Sequence, residues 1–175
     1  MELAERRLFK GMINKKIVLM RKKVGKGVFA NKNFKKGDII IHVDYRKSKD
    51  IVKKEYIPKL SLRDGDHLCY LGRRKYVIDY SPFAMVNHSC NPNSYVRYRN
   101  MKIRYLVSLR EIKKGEEVVC DYVIDTFGDL EIKCHCWSKN CRKIIYTNYF
   151  KLPKNLQEKY WRYVPRWKKR MLKKI

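Results

Sequence analysis

Seven residues constrain this chain more than any other stretch: Asn87-His88-Ser89-Cys90-Asn91-Pro92-Asn93. They stand between two apolar, strand-like runs, Tyr76-Val77-Ile78 and Tyr95-Val96. Amides, an imidazole and a thiol packed beside core strands need partners, because each buried polar group left unpaired costs roughly 1–3 kcal/mol. Two kinds of partner suit these residue types: a polar cofactor for Asn87 and His88, and a metal for Cys90.

The surrounding chain alternates short β-branched or aromatic runs with turn signals, which argues a mostly-β domain. Residues 16–20 read as a strand that leads into Gly25-Lys26-Gly27-Val28-Phe29-Ala30, a Gly-x-Gly turn between apolar segments. Phe34-Lys35-Lys36-Gly37-Asp38-Ile39-Ile40-Ile41 is echoed by Ile112-Lys113-Lys114-Gly115-Glu116-Glu117-Val118-Val119, each a Lys-Lys-Gly turn feeding a strand. Further strands are expected over 68–71, 76–78, 95–98 and 103–108, with a polar insertion carrying a short helix over 47–66. Leu156, Tyr160, Trp161, Val164 and Trp167 describe an aromatic helical face interrupted at Pro165. The expected organisation is an arm over 1–14, a β domain over 15–124, a cysteine-rich segment over 125–150 and a basic aromatic helical segment over 151–175.

At 175 residues the chain can bury a core of its own. No apolar run approaches the ~18 residues of a membrane span, and the first residues lack a signal-peptide core, so an intracellular protein is expected. The net charge of +26 concentrates toward the end, where residues 151–175 hold ten Lys or Arg against the single Glu158. Such an excess favours polyanions, chiefly nucleic acid, although a lysine-rich solvated surface reads the same way. Residues 121–131 run against the trend, with Asp121, Asp125, Asp129 and Glu131 and no base. They read as an acidic lip that would steer a cationic peptide, or as a solvated loop.

Six cysteines fall at 69, 90, 120, 134, 136 and 141. Cys134, Cys136 and Cys141 form a C-x-C-x4-C cluster, and zinc wants four ligands at ~2.3 Å from each sulfur. Cys90 is a candidate for the fourth place, and His135 competes for it, though its position between two ligating cysteines points it away. A disulfide between residues two apart would be strained. Cys69 and Cys120 read as buried thiols.

The Gly25–Ala30 turn, the Asn87–Asn93 element, the run from Gly115 to Tyr122 and the cysteine tail occur in that order. Together they resemble a SET-domain protein-lysine methyltransferase with a post-SET zinc loop, in the minimal form found in viruses, bacteria or archaea. The resemblance covers residues 16–145. It implies a SET-domain β fold with a pseudoknot, a short inserted helical segment, a zinc-bound post-SET loop and a C-terminal helix. It implies that S-adenosylmethionine is held by Lys26, Gly27, Phe29, Tyr70, Asn87, His88 and Trp137, and that Tyr122 is catalytic. Cys120 and Tyr76 would line the substrate channel, and Cys90, Cys134, Cys136 and Cys141 would hold one structural zinc.

The implied substrate is a lysine in a basic, histone-like, DNA-associated protein, in a nucleoid or a nucleus. A reading from another class is a catalytically idle module that binds nucleic acid or chromatin through its charge. Three positions depart from the family pattern, one being Ala84, which stands where a basic residue often precedes the Asn-His element by three positions and would contact the cofactor. Cys120 replaces an aromatic residue that limits room around the amine, which predicts di- or trimethylation. Trp137 replaces a small residue, where it would stack on adenine or substrate or cap the zinc loop.

Overall fold

The computed structural model describes residues 15–21, 25–60, 67–126 and 128–173. The arm expected over 1–14 lies outside the described residues, as does the end of the polar insertion over 61–66. In chain order the strands are β1 (Ile17–Arg21), β2 (Lys26–Ala30), β3 (Ile39–Asp44), β4 (Ile51–Lys53), β5 (Leu68–Gly72) and β6 (Lys75–Ile78). They continue as β7 (Asn87–His88), β8 (Ser94–Asn100), β9 (Ile103–Ser108), β10 (Val119–Cys120), β11 (Glu131–Lys133) and β12 (Ile144–Tyr146). Two helices follow, α1 (Lys154–Trp161) and α2 (Arg166–Leu172). The aromatic helical segment is thus two helices, because Pro165 has no N–H to continue the first and starts the second from an extended backbone.

Among the described residues, three small sheets accompany a five-stranded one. β1 and β2 form an antiparallel hairpin, with Gly25 at φ +72 entering it. The insertion forms a three-stranded sheet in the order β4–β6–β5, so β5 is an edge, and β11 pairs with β12. The two Lys-Lys-Gly units face each other: Phe34 and Ile112 exchange backbone hydrogen bonds of 2.8 and 3.0 Å. Gly37 and Gly115 turn the chain at φ +92 and +86, a region costly for any residue with a Cβ.

The central sheet runs β3–β9–β8–β10–β7. β10 lies parallel to β7, with Val119 opposite Asn87 and Cys120 opposite His88, and meets β8 where Cys120 faces Ser94. It therefore slots between two strands that are neighbours in sequence, and residues 89–93 cross over it as a pseudoknot. Most of the polar density noted above is spent on this threading. Buried Asn93 accepts from the Val119 N–H at 2.8 Å and donates to the Glu117 carbonyl at 2.7 Å. The Ser89 N–H donates to the Cys120 carbonyl at 2.9 Å, and the Ser94 hydroxyl to the Val119 carbonyl at 2.8 Å.

Two hydrophobic cores result. The first gathers Ile17, Val28, Phe34, Leu106, Ile112, Val118 and Cys120 among others. The second gathers Val123, Ile124, Tyr149, Leu152, Tyr160, Val164 and Leu172. Packing therefore divides the chain at Tyr122, with Val123 and Ile124 belonging to the C-terminal segment. Lys168 of α2, 0% exposed, enters this seam and donates to the carbonyls of Val123 and Thr126.

Candidate active site and metal centre

The turn after β10 is built by Asp121. Its carboxylate accepts from the Val123 N–H at 3.4 Å, capping a one-turn 3-10 helix over Tyr122–Ile124. Asp121 is itself buried, and Arg142 matches its charge with a two-pronged grip at 2.8 and 2.9 Å. Tyr122 is then held on all sides. Its hydroxyl donates to the Val86 carbonyl at 3.0 Å, and its N–H donates to His88 Nδ1 at 3.3 Å. Its carbonyl accepts from the Thr126 N–H and hydroxyl at 2.9 and 2.6 Å, and its ring meets His88 edge-on at 5.3 Å. Burial, with Cys120 and Asp125 nearby, raises the phenol above its ordinary range, so it stays neutral.

Tyr122 lines a cleft of about 910 Å³ with Asn87, His88, Glu117, Cys136 and Trp137. The Asn87 amide donates to the Lys26 carbonyl and to Glu117 Oε1, both at 2.9 Å. Lys26, Gly27 and Phe29 do not line this cleft themselves; β2 meets it through the Lys26 carbonyl on Asn87 and through Phe29 bridged to Glu117. Trp137 stands on the rim, 88% exposed and at φ +54, a backbone conformation that bulky residues rarely adopt.

A second cavity, of about 470 Å³, is lined by Tyr70, Tyr76, Tyr98, Arg104, Asp125 and Trp167 among others. Tyr70 and Tyr76 are register partners in the β5–β6 pair with ring centroids 5.2 Å apart, and directly opposed residues share one face of a sheet. Tyr70, expected with the methyl donor, therefore lies beside Tyr76 and away from the first cleft. Arg104 donates to the Tyr70 carbonyl, and the Tyr98 hydroxyl donates to Asp125 at 3.2 Å. Burial raises Asp125 above the usual carboxylate range, against the pull of Arg104 and Lys168. Asp125 and Thr126 line this cavity and Tyr122 lines the first, so a single turn has one cavity on each side. Cys120, just before that turn, is buried in the β core.

The cysteines converge below the cleft. His88, Cys90, Cys134 and Cys136 bring one donor atom each within 4.8 Å of one another, and the Cys134 thiol also touches that of Cys141. A tetrahedral zinc thiolate with ~2.3 Å bonds has sulfur–sulfur edges of about 3.8 Å. Cys90 and Cys134 are 3.8 Å apart. The donor set therefore fits zinc. Burial, opposed by Asp121, holds His88 down to about 4, so the ring is neutral. Its Nδ1 lies 3.3 Å from the Tyr122 N–H and 3.5 Å from the Asp121 carboxylate, and its Nε2 lies 3.3 Å from Cys90 Sγ. Beside Cys90, Cys134 and Cys136, the fourth donor could thus be supplied by His88 or by Cys141. His135 is exposed on the rim.

The acidic lip is not there. Asp121 and Asp125 are internal partners of Arg142 and Tyr98, and exposed Asp129 and Glu131 are both paired with Lys151 at 3.1 and 2.8 Å. Charge counting along the sequence missed that these acids have their own cations. It also missed Arg142 and Lys168, which contact the site from distant segments and carry no local pattern.

A family profile described as SET domain matches residues 25–123, more than half of the chain. The chain belongs to the SET-domain family. The histone-lysine N-methyltransferase, H3 lysine-36 specific, of Debaryomyces hansenii is 45% identical over 60 residues, 33% of this chain and 8% of that protein. Histone-lysine N-methyltransferase ASHH3 of Arabidopsis thaliana is 29% identical over 140 residues, 75% of this chain and 38% of that protein. The chain thus matches well under two thirds of the length of these relatives. A solved Plasmodium falciparum chain, a histone methyltransferase candidate, is 24% identical with a TM-score of 0.48, covering 61% of this chain and 92% of its own.

Proposed function

We propose that this protein transfers a methyl group from S-adenosylmethionine to the ε-amine of a lysine in a basic, histone-like protein. The observation that carries this reading is the Tyr122 turn, with the Asn87–His88 cleft on one side and the aromatic cavity of Tyr70, Tyr76 and Tyr98 on the other. The donor belongs in the first and the lysine chain in the second. When bound, the donor's sulfonium supplies an activated methyl and a neutral leaving group.

The residues of the chain supply alignment. A lysine amine has a reference pKa near 10.4, so neutralising it at pH 7 costs roughly 4.6 kcal/mol. A dry aromatic channel beside a positive sulfonium disfavours the ammonium and lowers that cost. Tyr122, a neutral phenol whose proton is committed to the Val86 carbonyl, offers its oxygen to orient the amine in line with the methyl. Asn87 ties Lys26 to Glu117 beside the cleft, and the four cysteines would hold a zinc ion, which would order the 134–142 loop against β7. The free edge of β5 suits a substrate peptide added as a strand. Relatives named for histone lysines make a nuclear, chromatin-bound substrate the reading of choice.

Labelled S-adenosylmethionine with a histone mixture tests the reading. Wild type should label a lysine, and Tyr122→Phe should label it at least ~100-fold more slowly while still binding the donor. Equal transfer by the variant, or no transfer by wild type, would overturn it and favour the idle module. A thiol at Cys120, two residues before Tyr122, in place of an aromatic ring would allow more than one methyl group, although Cys120 itself lines neither cavity. Mass spectrometry should find di- or trimethyl-lysine, and a product that stops at one methyl would reject that part.

A further inference from the structure

The C-terminal core turns a set of uncompensated cations toward one groove. Arg97 and Arg99 lie two apart on β8, whose register shifts between Tyr98 and Asn100, and both line the groove. Arg166 and Arg170 lie one helical turn apart on α2, as do Lys169 and Lys173 at its end, and Arg162 sits in the link between the helices. Arg97, Arg99, Arg162, Arg166 and Arg170 line a groove of about 480 Å³. Arg166 and Arg170 are shared with an adjoining depression, lined also by Trp161, Lys169 and Lys173.

Elsewhere, cations meet acids: Arg46 with Asp44, Arg110 with Glu116, Arg142 with Asp121, Lys151 with Asp129 and Glu131. Among the described residues, none of the seven cations of this surface has a carboxylate within 4.0 Å. Like charges gathered without counter-charges repel, and an external polyanion relieves that repulsion while releasing its own counterions.

We propose that this groove binds the phosphate backbone of duplex DNA. Five of its seven cations are arginines, whose planar forks match phosphate oxygens. They are spread over a strand, a link and a helix, which suits a repeating anion better than a single carboxylate. Of the rings lining this surface, Tyr95 packs on Tyr163 at 4.6 Å, Tyr98 meets Trp167 edge-on at 6.1 Å, and Lys169 covers one side of Trp161 at 4.8 Å, while Trp161 stays 39% exposed. Ring-to-ring packing of four of these five disfavours stacking of unpaired bases and favours a duplex. The groove shares Tyr98 and Trp167 with the second cavity, but none of its five arginines lines either cavity, so the inference does not depend on the methyl-transfer reading.

The test is fluorescence anisotropy of the full chain with a labelled duplex of about 20 base pairs, titrated with salt. About five phosphate contacts predict a slope near −4.5 of log affinity against log salt, or roughly 500-fold between ~50 and ~200 mM. The combined variant Arg162→Ala, Arg166→Ala, Arg170→Ala should lose at least about tenfold in affinity and about 3 in slope, with an unchanged melting temperature. A control of equal charge change, Lys35→Ala, Lys36→Ala, Lys114→Ala, should bind nearly as wild type. Equal losses in both triples would make the binding diffuse and overturn the groove. Tighter binding of a single strand, or equal competition by polyglutamate, would overturn the duplex. Methyl transfer to a free histone-tail peptide should be the same in wild type and the arginine variant, so the two proposals fail separately.

Discussion

From Ile17 to Cys120 the β core is held by backbone pairing around a threaded strand, whereas from Val123 to Leu172 the C-terminal core is held by aromatic rings and one buried lysine. Tyr122 belongs to both. The β core fixes its hydroxyl and N–H through Val86 and His88. The C-terminal core fixes its carbonyl through Thr126, which Lys168 holds in turn. A reactive group at such a seam is only as well placed as the weaker of its two supports, and the C-terminal core is the smaller one.

The largest separation of the two should come from matched core deletions. Leu106→Ala in β9 and Tyr160→Ala in α1 each remove a fully buried side chain and should cost about 2–5 and 3–5 kcal/mol. The consequences should differ. Leu106→Ala should lower the whole unfolding transition and leave activity near normal below it. Tyr160→Ala should remove methyl transfer at temperatures where β8 and β9 amides are still protected from hydrogen exchange. If both variants lose protection everywhere together, the two cores form one cooperative unit and the contrast is void.

The same contrast explains what could be read in advance. Motifs that act through backbone geometry were legible: the Lys-Lys-Gly turns, the Gly25 hairpin, strand β9 over 103–108, and the thiol spacing. The threading of β10 was legible only through resemblance, since no periodicity says that a strand passes between two others. Tyr70 lies in the second cavity and not with Asn87 and His88, because its face is set by its register with Tyr76, a pairing across a turn. Acids at 121–131 looked like a surface because their partners, Arg142, Tyr98 and Lys151, are 20 to 27 residues away in sequence. Side chains that reach across the seam leave no local pattern.

Lys168 gives an intermediate effect. Replacing it with Met keeps the apolar stem but leaves the Val123 and Thr126 carbonyls without their donor, at a cost of about 1–3 kcal/mol. Donor binding should survive, because the cleft is supported by β7, while turnover falls roughly tenfold as the Tyr122 turn loosens. Lys168→Arg, which keeps a donor, should recover part of it. Burial lowers Lys168 to about 8, opposed by Asp125 and Asp121, whereas an unfolded lysine titrates near 10.4. A depressed folded value means stability present above the unfolded pKa and lost as pH falls through the folded one. Wild type should therefore gain on Lys168→Met as pH rises from about 8 to about 10.4 in denaturant titrations. A pH-independent difference would remove the lysine from the argument.

Trp137 should give the smallest effect and one of opposite pattern. Its ring contributes little to folding, being 88% exposed, and its backbone at φ +54 favours glycine. Trp137→Gly should leave stability unchanged within ~1 kcal/mol, or raise it. If the ring covers a ligand in the Asn87–His88 cleft, losing a stacking contact of ~0.5–1.5 kcal/mol should weaken binding by roughly two- to tenfold. The kinetic constant that rises tells which ligand it covers: the donor's KM if the ring stacks on adenine, the peptide's KM if it closes over the substrate. Trp137→Phe should keep most of the effect in either case. A glycine variant with both constants unchanged and reduced zinc retention would instead make the ring a cap on the metal loop, a part of the C-terminal support and not of the cleft.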